Sequence, residues 1–412
     1  MHANCEFRPR SMALAHGNSR VRRVGAVGAS AFVALLMFVG TSTSTATAQS
    51  RNTAAAAGTA TAKAVLAASL RGFVSSTGPS VPLTPLKSFN GPTSDPSQPV
   101  SHAKIIGVSS CDNPCSYVGD LVGGLAKQYG NGTYTGSIGA EASNWQSLTA
   151  EAIQQRPNVI LFNGVEDNTI TQQVVEARHA GIKTVGVAVL PNVPSSEGYS
   201  AYVAVRQDLS YRLMVQAAIA NSGGKANILL LESSGYATID KYVKVAVADV
   251  HSGCPKCTIT VVKEDNGVLA APVAMSQLVT SELNALPSVN YILFADDFDA
   301  ITAAQQAASL LHRHVTLIAQ DGSTGGLELV ATGALLYDVA VPLQWIAYAG
   351  FDAVRRVMNG ETPLSPGGWG GGVHTFSKSN LPAKITNQSV AAMLNSYINY
   401  IGAYDALWAH AK

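Results

Sequence analysis

NVILFNGVEDNTITQQVVEARHAGIKTVGV, residues 158–187, decides the fold. VILFNG (159–164) is apolar until its asparagine, the pattern of a strand buried on both faces of a parallel sheet. TITQQVVEARHAG (169–181) reads as a helix stopped at Gly181, and KTVGVAV (183–189) as the next strand. Strand, helix and strand in so short a span make a parallel unit with a right-handed crossover.

The alternation extends in both directions. Upstream lie KIIGVSS (104–110), a helix over 117–130, TYTGSIGA (133–140) and a helix over 144–156 with Leu148, Ala152 and Ile153 at helical spacing. After a polar stretch around 192–198 the series restarts. Helices are predicted over 210–223, 238–251, 271–286, 299–312 and 325–333, and strands over 226–232, 257–263, 290–296, 315–321 and 335–342. Helices over 345–360 and 389–412 close the chain. These are too many strands for one sheet of ordinary size. The pattern predicts an α/β protein of two doubly wound parallel-sheet lobes joined by a hinge, with a cleft where their strand C-termini face each other. Crossings near 206–208 and 341–342 give lobe one residues 102–206 and 342–412, and lobe two residues 207–341.

Of the 412 residues, 47% are hydrophobic and 13% charged, so a large core is feasible and a disordered chain is excluded. A net charge of +1 leaves no basic footprint for nucleic acid. Arg20, Arg22 and Arg23 precede an uncharged run over 24–40 and the small-residue tail TSTSTATAQS. That order reads as a secretory signal, residues 1–48, cut near Ala46 or Ala48. Its 17-residue apolar run is marginal for a membrane span, and a retained anchor is the rival reading. Residues 49–101 are Ala-rich over 52–72, a composition that suits one helix, and then rich in Ser, Pro, Thr and Gly; they read as a linker or surface strap.

VSSCDNPCS (108–116), the 158–187 run, LFADDFDAITAA (293–304) and LIAQDGSTGGLELVATG (317–333) follow one another in a telling order. The chain resembles the type I periplasmic sugar-binding proteins, the ribose/galactose-type solute receptors of ABC importers. The likeness covers about residues 103–360, and FNGPTSDPSQPVSHAKIIGVSSC (89–111) resembles the leader of a secreted branch of that family. It implies a type I periplasmic-binding-protein architecture. It implies a clamshell that closes on a small-molecule solute, a sugar or sugar-like compound, and is read by the membrane permease of an ABC importer. No catalysis, cofactor or metal is expected, and the protein is expected to be a secreted or periplasmic monomer.

By this resemblance Asn113 matches an asparagine that bonds a sugar hydroxyl; an amide donates and accepts at once, which suits hydroxyls. Asp-Asn-Pro is equally a turn former, with Pro114 suited to a first helical turn. Asp296 and Asp297 match an Asn-Asp pair of the family, where a carboxylate takes sugar hydroxyls in charge-assisted bonds. With Asp299 they equally suit the cap of the helix over 299–312. Asp321 matches the aspartate of the family's F-D-G step and stands at a strand C-terminus; an Asx turn is the alternative. Tyr117, Trp145, Tyr236, Phe298 and Trp345 are ring-facing walls or core. Three usual polar anchors are missing or displaced. Val189, Leu190 and Pro191 stand where the family often has Asp-Arg, 235–246 holds lysines but no arginine, and Ala340 replaces a hinge glutamine, with Gln344 nearby as a candidate contact. The departures point to other contacts or to a less hydroxylated ligand.

Cys111 and Cys115 flank the first strand-to-helix turn, and Cys254 and Cys257 frame a turn before a second-lobe strand. After export two local disulfides, stapling loops beside the cleft, are the plain reading. A redox CxxC pair and a four-cysteine zinc site are the alternatives. No G-x-S-x-G, H-E-x-x-H or phosphate-cradling loop occurs; GGWGGG (367–372) reads as flexible loop, and His312, His314 and His374 have no clear partners. The rivals to a solute receptor are a ligand-sensing module for a membrane signalling partner and, behind it, a secreted two-lobed hydrolase.

Overall fold

A two-strand antiparallel ribbon, β1 (Val74–Ser75) and β2 (Thr84–Pro85), precedes two larger sheets. The computed structural model describes residues 43–409 apart from 79, 97–99, 140–141, 205, 266–267, 270 and 298–300. Residues 1–42, most of the expected signal over 1–48, lie outside the described residues, and the described residues from Thr47 onward form one compact unit.

The first sheet holds β3 (Lys104–Ser109), β4 (Thr133–Ile138), β5 (Val159–Asn163), β6 (Lys183–Val187) and β7 (Ala201–Val203). Its order is β4-β3-β5-β6-β7, parallel throughout. Every β5 side chain is buried, because β3 and β6 flank it and helices cover both faces. Helix Tyr117–Gly130 buries Val118, Val122, Leu125 and Ala126 along one stripe and ends on Asn131 in the left-handed region.

The second sheet holds β8 (Asn227–Ser233), β9 (Thr258–Glu264), β10 (Tyr291–Phe294), β11 (Thr316–Asp321), β12 (Tyr337–Ala340) and β13 (His374–Phe376). Its order is β13-β12-β11-β10-β8-β9, parallel except for β13, which runs antiparallel to β12. Helix Gln207–Asn221 packs on this sheet, whereas helix Leu343–Met358 returns to β6, β7 and helix Tyr117–Gly130.

Three features depart from the sequence reading. β13 adds residues 374–376 to the second sheet, although everything after 342 was expected with the first lobe. His374 in that strand has partners after all: its Nδ1 meets the Gly72 carbonyl at 2.9 Å and its Nε2 lies 3.3 Å from the Asn380 amide. Burial holds this imidazole neutral, with its pKa lowered to about 4. The closing helix is two, Asn387–Ile398 and Tyr400–Trp408, broken where Asn399 takes φ 51° and its side chain accepts from the Gly402 amide at 3.3 Å. Within GGWGGG, Trp369 is buried and donates to the Tyr202 carbonyl at 2.7 Å, so that stretch is an anchored turn.

The segment before β3 is built into the body. Gly58 approaches the Gly253 carbonyl so closely that a Cβ there would overlap it. Ser69 meets Thr375 at 2.8 Å, and Val74 bridges to Val373. Phe73, Val74, Leu83 and Val100 are buried; each large apolar side chain so placed contributes about 1.5–3 kcal/mol. Arginines tie the strap down: Arg206 donates to the Ser76 carbonyl at 2.6 Å, Arg212 to that of Val81 at 2.9 Å, and Arg356 to that of Ser94.

Candidate functional site: a cleft between the sheets

Strand order places the site. In the first sheet the chain leaves β3 toward β4 on one side and then passes to β5 on the other; β8, β9 and β10 repeat this in the second sheet. Crevices open beyond the C-termini of such strands. Both crevices here border one cavity of about 110 Å³. Ser110, Asn163 and Glu166 reach it from the first sheet, and Ser233, Asp296 and Asp321 from the second. Tyr236 and an aliphatic wall that includes Val118, Val187 and Ile346 complete it.

The polar groups differ in what they already bond. Asn163 Nδ2 donates to Ser109 Oγ at 3.3 Å, while its Oδ1 is buried without a partner. Ser233 Oγ donates to Asp296 Oδ2 at 2.5 Å. Asp321 has φ 124°, a strained conformation of the kind that collects at ligand sites. Its carboxylate has no hydrogen-bond partner among the described residues. Burial raises the Asp296 pKa to about 6. Burial, then the charges of Asp297, Asp296 and Asp338, pushes Asp321 well above the usual carboxylate range.

Glu166 does something else. Its buried carboxylate accepts from the Thr238 amide at 3.0 Å and from the Asn192 side chain. Thr238 Oγ1 in turn accepts from the Leu190 amide at 3.0 Å, and Lys241 donates to Asn192 Oδ1 at 2.6 Å. These bonds fasten loops beyond β5 and β6 to the N-terminus of helix Ala237–Gly253, where the helix dipole favours a carboxylate.

The expected site residues divide. Asp296 and Asp321 line the cavity together. Asp297 does not; its Oδ2 accepts from the Ser323 amide at 2.8 Å, on the helix-start side of the loop. Tyr117 and Gln344 border a separate space of about 20 Å³ with Tyr400, which sits 3.5 Å from Gln344 Oε1. Trp145 is core: its indole donates to the Gly139 carbonyl and its ring packs 5.9 Å from Tyr236. Trp345 is core too, stacked on Phe89 and Tyr400. Asn113 lies in a π-helical turn, Asp112–Ser116, between the cavity-lining Cys111 and Pro114; its side chain, Phe298 and Asp299 lie outside the described residues. Both local disulfides form, Cys111–Cys115 and Cys254–Cys257. Only the first borders the cleft. The second precedes β9, at the end of a parallel sheet opposite its strand C-termini.

Asn163 and Glu166 were missed. An asparagine closing the apolar run of β5 was signal enough for the first. Glu166 carries no local signal, since Thr238 is 72 residues away. Among the described residues no three His, Cys, Asp or Glu side chains are grouped to hold a metal ion.

Asp297 and Asp338 form a pair behind the cleft. Their Oδ2 atoms both crowd Gly326, where a Cβ would strike each of them. Asp338 Oδ1 accepts from the Gly322 amide at 3.1 Å, leaving Oδ2 against Asp297. Two carboxylates in contact need a shared proton, and burial holds Asp338 protonated well above its ordinary range. The folded state therefore binds a proton that the unfolded chain releases near pH 4. This contribution to stability is complete below that pH and is lost as pH rises through the folded pKa. Asp338→Asn keeps the acceptor for Gly322 and supplies a fixed N–H to Asp297. The variant is expected to melt about 2 °C higher than the parent above pH 7, with the gap closing near pH 4, in a thermal melt series.

The profile of the periplasmic binding protein domain family matches residues 115–362. The chain belongs to this family. No curated protein sequence matches it. Among solved structures, this periplasmic binding protein is similar to an ABC transporter solute-binding protein from Mycobacterium smegmatis with bound glycerol, at 19% identity and TM-score 0.57 over 68% of this chain and 96% of that one. It is similar to an Agrobacterium vitis solute-binding protein bound with α-D-tagatopyranose, at 13% identity and TM-score 0.60 over 72% and 99% of the two chains. A 5-methylthioribose transporter solute-binding protein from Thermotoga lettingae gives 13% identity and TM-score 0.60 over 75% and 98%. At these identities the likeness is one of fold: two α/β lobes with parallel sheets.

Proposed function

We propose that this periplasmic binding protein is an extracytoplasmic receptor of the type I, sugar-binding kind. It closes around a small sugar or sugar-like solute and presents it, unchanged, to the permease of an ABC importer. The observation that carries this reading is one cavity bordered by strand C-termini of both sheets, with Asp296 and Asp321 from one side and Asn163 from the other. The strand orders, with β3 and β8 each inside their sheets beside a later neighbour, support the type I assignment. Glycerol, tagatopyranose and 5-methylthioribose in the similar proteins support a small polyhydroxylated solute. Export after cleavage near Ala46 or Ala48, action as a monomer, and a hinge near 206–208 and 341–342 belong to the same proposal.

A thermal-shift screen of the chain from residue 49 against sugars, polyols and their derivatives tests it. A hit should stabilise the protein saturably and be recovered chemically intact after release. Turnover of every hit would replace the receptor with an enzyme.

A further inference from the structure

The solute-binding reading leaves open what the cleft selects, and its charges are one-sided. Asp296 and Asp321 both border the cavity, and among the described residues no lysine or arginine lines it. The cations nearby are already engaged. Arg206, beside the cavity residue Gln207, forks onto Asp208 at 2.9 and 3.0 Å. Lys241 is held by Asn192 and by the Pro191 carbonyl at 3.1 Å. The ionisable groups acting on the two aspartates are Asp297 and Asp338, with the Tyr211 phenol beside them and Glu166 on the facing wall, none of which supplies positive charge.

The strongest free hydrogen-bonding groups are likewise acceptors. Ser233 spends its hydroxyl on Asp296, and one of the two Asn163 amide hydrogens goes to Ser109. What is left over is the Asp321 carboxylate, the second oxygen of Asp296 and the buried Asn163 Oδ1, which is independent of the acidic pair. Ser110, Gln207, Tyr236 and Thr238 are the neutral side chains on the lining that carry donor hydrogens. An anionic solute would meet two carboxylates with no counter-charge. A neutral polyol leaves both buried aspartates at their raised pKa values and gains only neutral hydrogen bonds from them. A protonated amine meets the acceptors with several N–H donors and lets the carboxylates ionise against it.

We infer that the cleft, if it is the solute site, selects a small cationic solute: a primary amine or ammonium carried on a polyol, sugar or short aliphatic frame. Asp321 and Asp296 hold the nitrogen, Asn163 Oδ1 faces it from the other lobe, and the aliphatic wall covers the carbon skeleton.

Matched pairs test this on the intact chain from residue 49. Glucamine is set against sorbitol, glucosamine against glucose, and further sugars and C4–C6 polyols against their amino analogues, by thermal shift and then calorimetry. The best amine should bind about tenfold to a hundredfold more tightly than its neutral partner. The glucamine ammonium keeps its proton across the neutral range, so its advantage over sorbitol should shrink as pH falls and the carboxylates take up protons: Asp296, which burial raises to about 6, and Asp321, which burial raises further. Asp321→Asn should erase most of the preference. Neutral partners binding as tightly as amines, or an amine preference untouched by Asp321→Asn and Asp296→Asn with circular dichroism unchanged, would overturn the cation assignment and leave the receptor reading standing. Binding of no member of either series would overturn both.

Discussion

Replacing Asp352 with alanine is expected to lower the unfolding free energy by about 3–5 kcal/mol, a large share of the about 5–15 kcal/mol that holds a folded domain. Asp352 lies in helix Leu343–Met358 with no exposed surface. Its Oδ2 accepts from Arg356 Nε at 2.7 Å, one helical turn on, and its Oδ1 from the Trp408 indole at 2.8 Å. Arg356 is itself nearly enclosed and also donates to the Ser94 carbonyl of the strap. Truncating Asp352 thus leaves a buried guanidinium with only the 3.4 Å contact to Glu361 as counter-charge, and leaves an indole N–H unpaired. Removing the second partner as well, in Asp352→Leu with Arg356→Met, should recover much of the loss, because an uncompensated buried charge costs more than an absent pair. Urea unfolding of the two single variants and the double variant measures this. A single-variant loss under about 1 kcal/mol, or a double variant less stable than either single one, would contradict the cluster's role.

That cluster also shows where reading the sequence stops. VILFNG and KTVGVAV declare themselves as β5 and β6 because doubly buried strands are apolar along their whole length. Helix Leu343–Met358 was recognised too, but its Asp352 and Arg356 look from sequence like an exposed ion pair. They are buried because the strap and the Tyr400–Trp408 helix cover them, a fact about distant segments. Short strands β7 and β13 went unseen, since three residues carry too little periodicity to register. Trp369 hid among glycines that read as a flexible turn.

The site was legible to a similar degree. Asp321 and Asp296 could be found because polar residues at the ends of buried strands project into the crevice. Asp297, one residue further, turns to the Ser323 amide instead. Neighbours in an extended turn face opposite ways, and no composition rule says which one meets the ligand. Glu166 depends on Thr238 across the cleft, a pairing between segments 72 residues apart in the chain.

The second large effect is on binding. Asp321→Asn preserves the shape of a side chain held at φ 124°, removes its capacity for charge and turns one acceptor oxygen into an N–H donor. The carboxylate is enclosed, unpaired and directed at the cavity, so its loss removes the strongest acceptor available to a bound solute. Affinity should fall at least about a hundredfold, equivalent to about 3 kcal/mol. The protein itself should become no less stable, because relief of a buried, crowded carboxylate offsets whatever the substitution disturbs.

The deciding measurement is calorimetric titration of the tightest-binding solute into the parent chain and into Asp321→Asn at equal concentrations. One site per chain in the parent and a hundredfold weaker or undetectable heat in the variant, with both proteins melting alike, is the predicted result. Equal affinity in the two would mean that the space between the sheets is not where the solute sits.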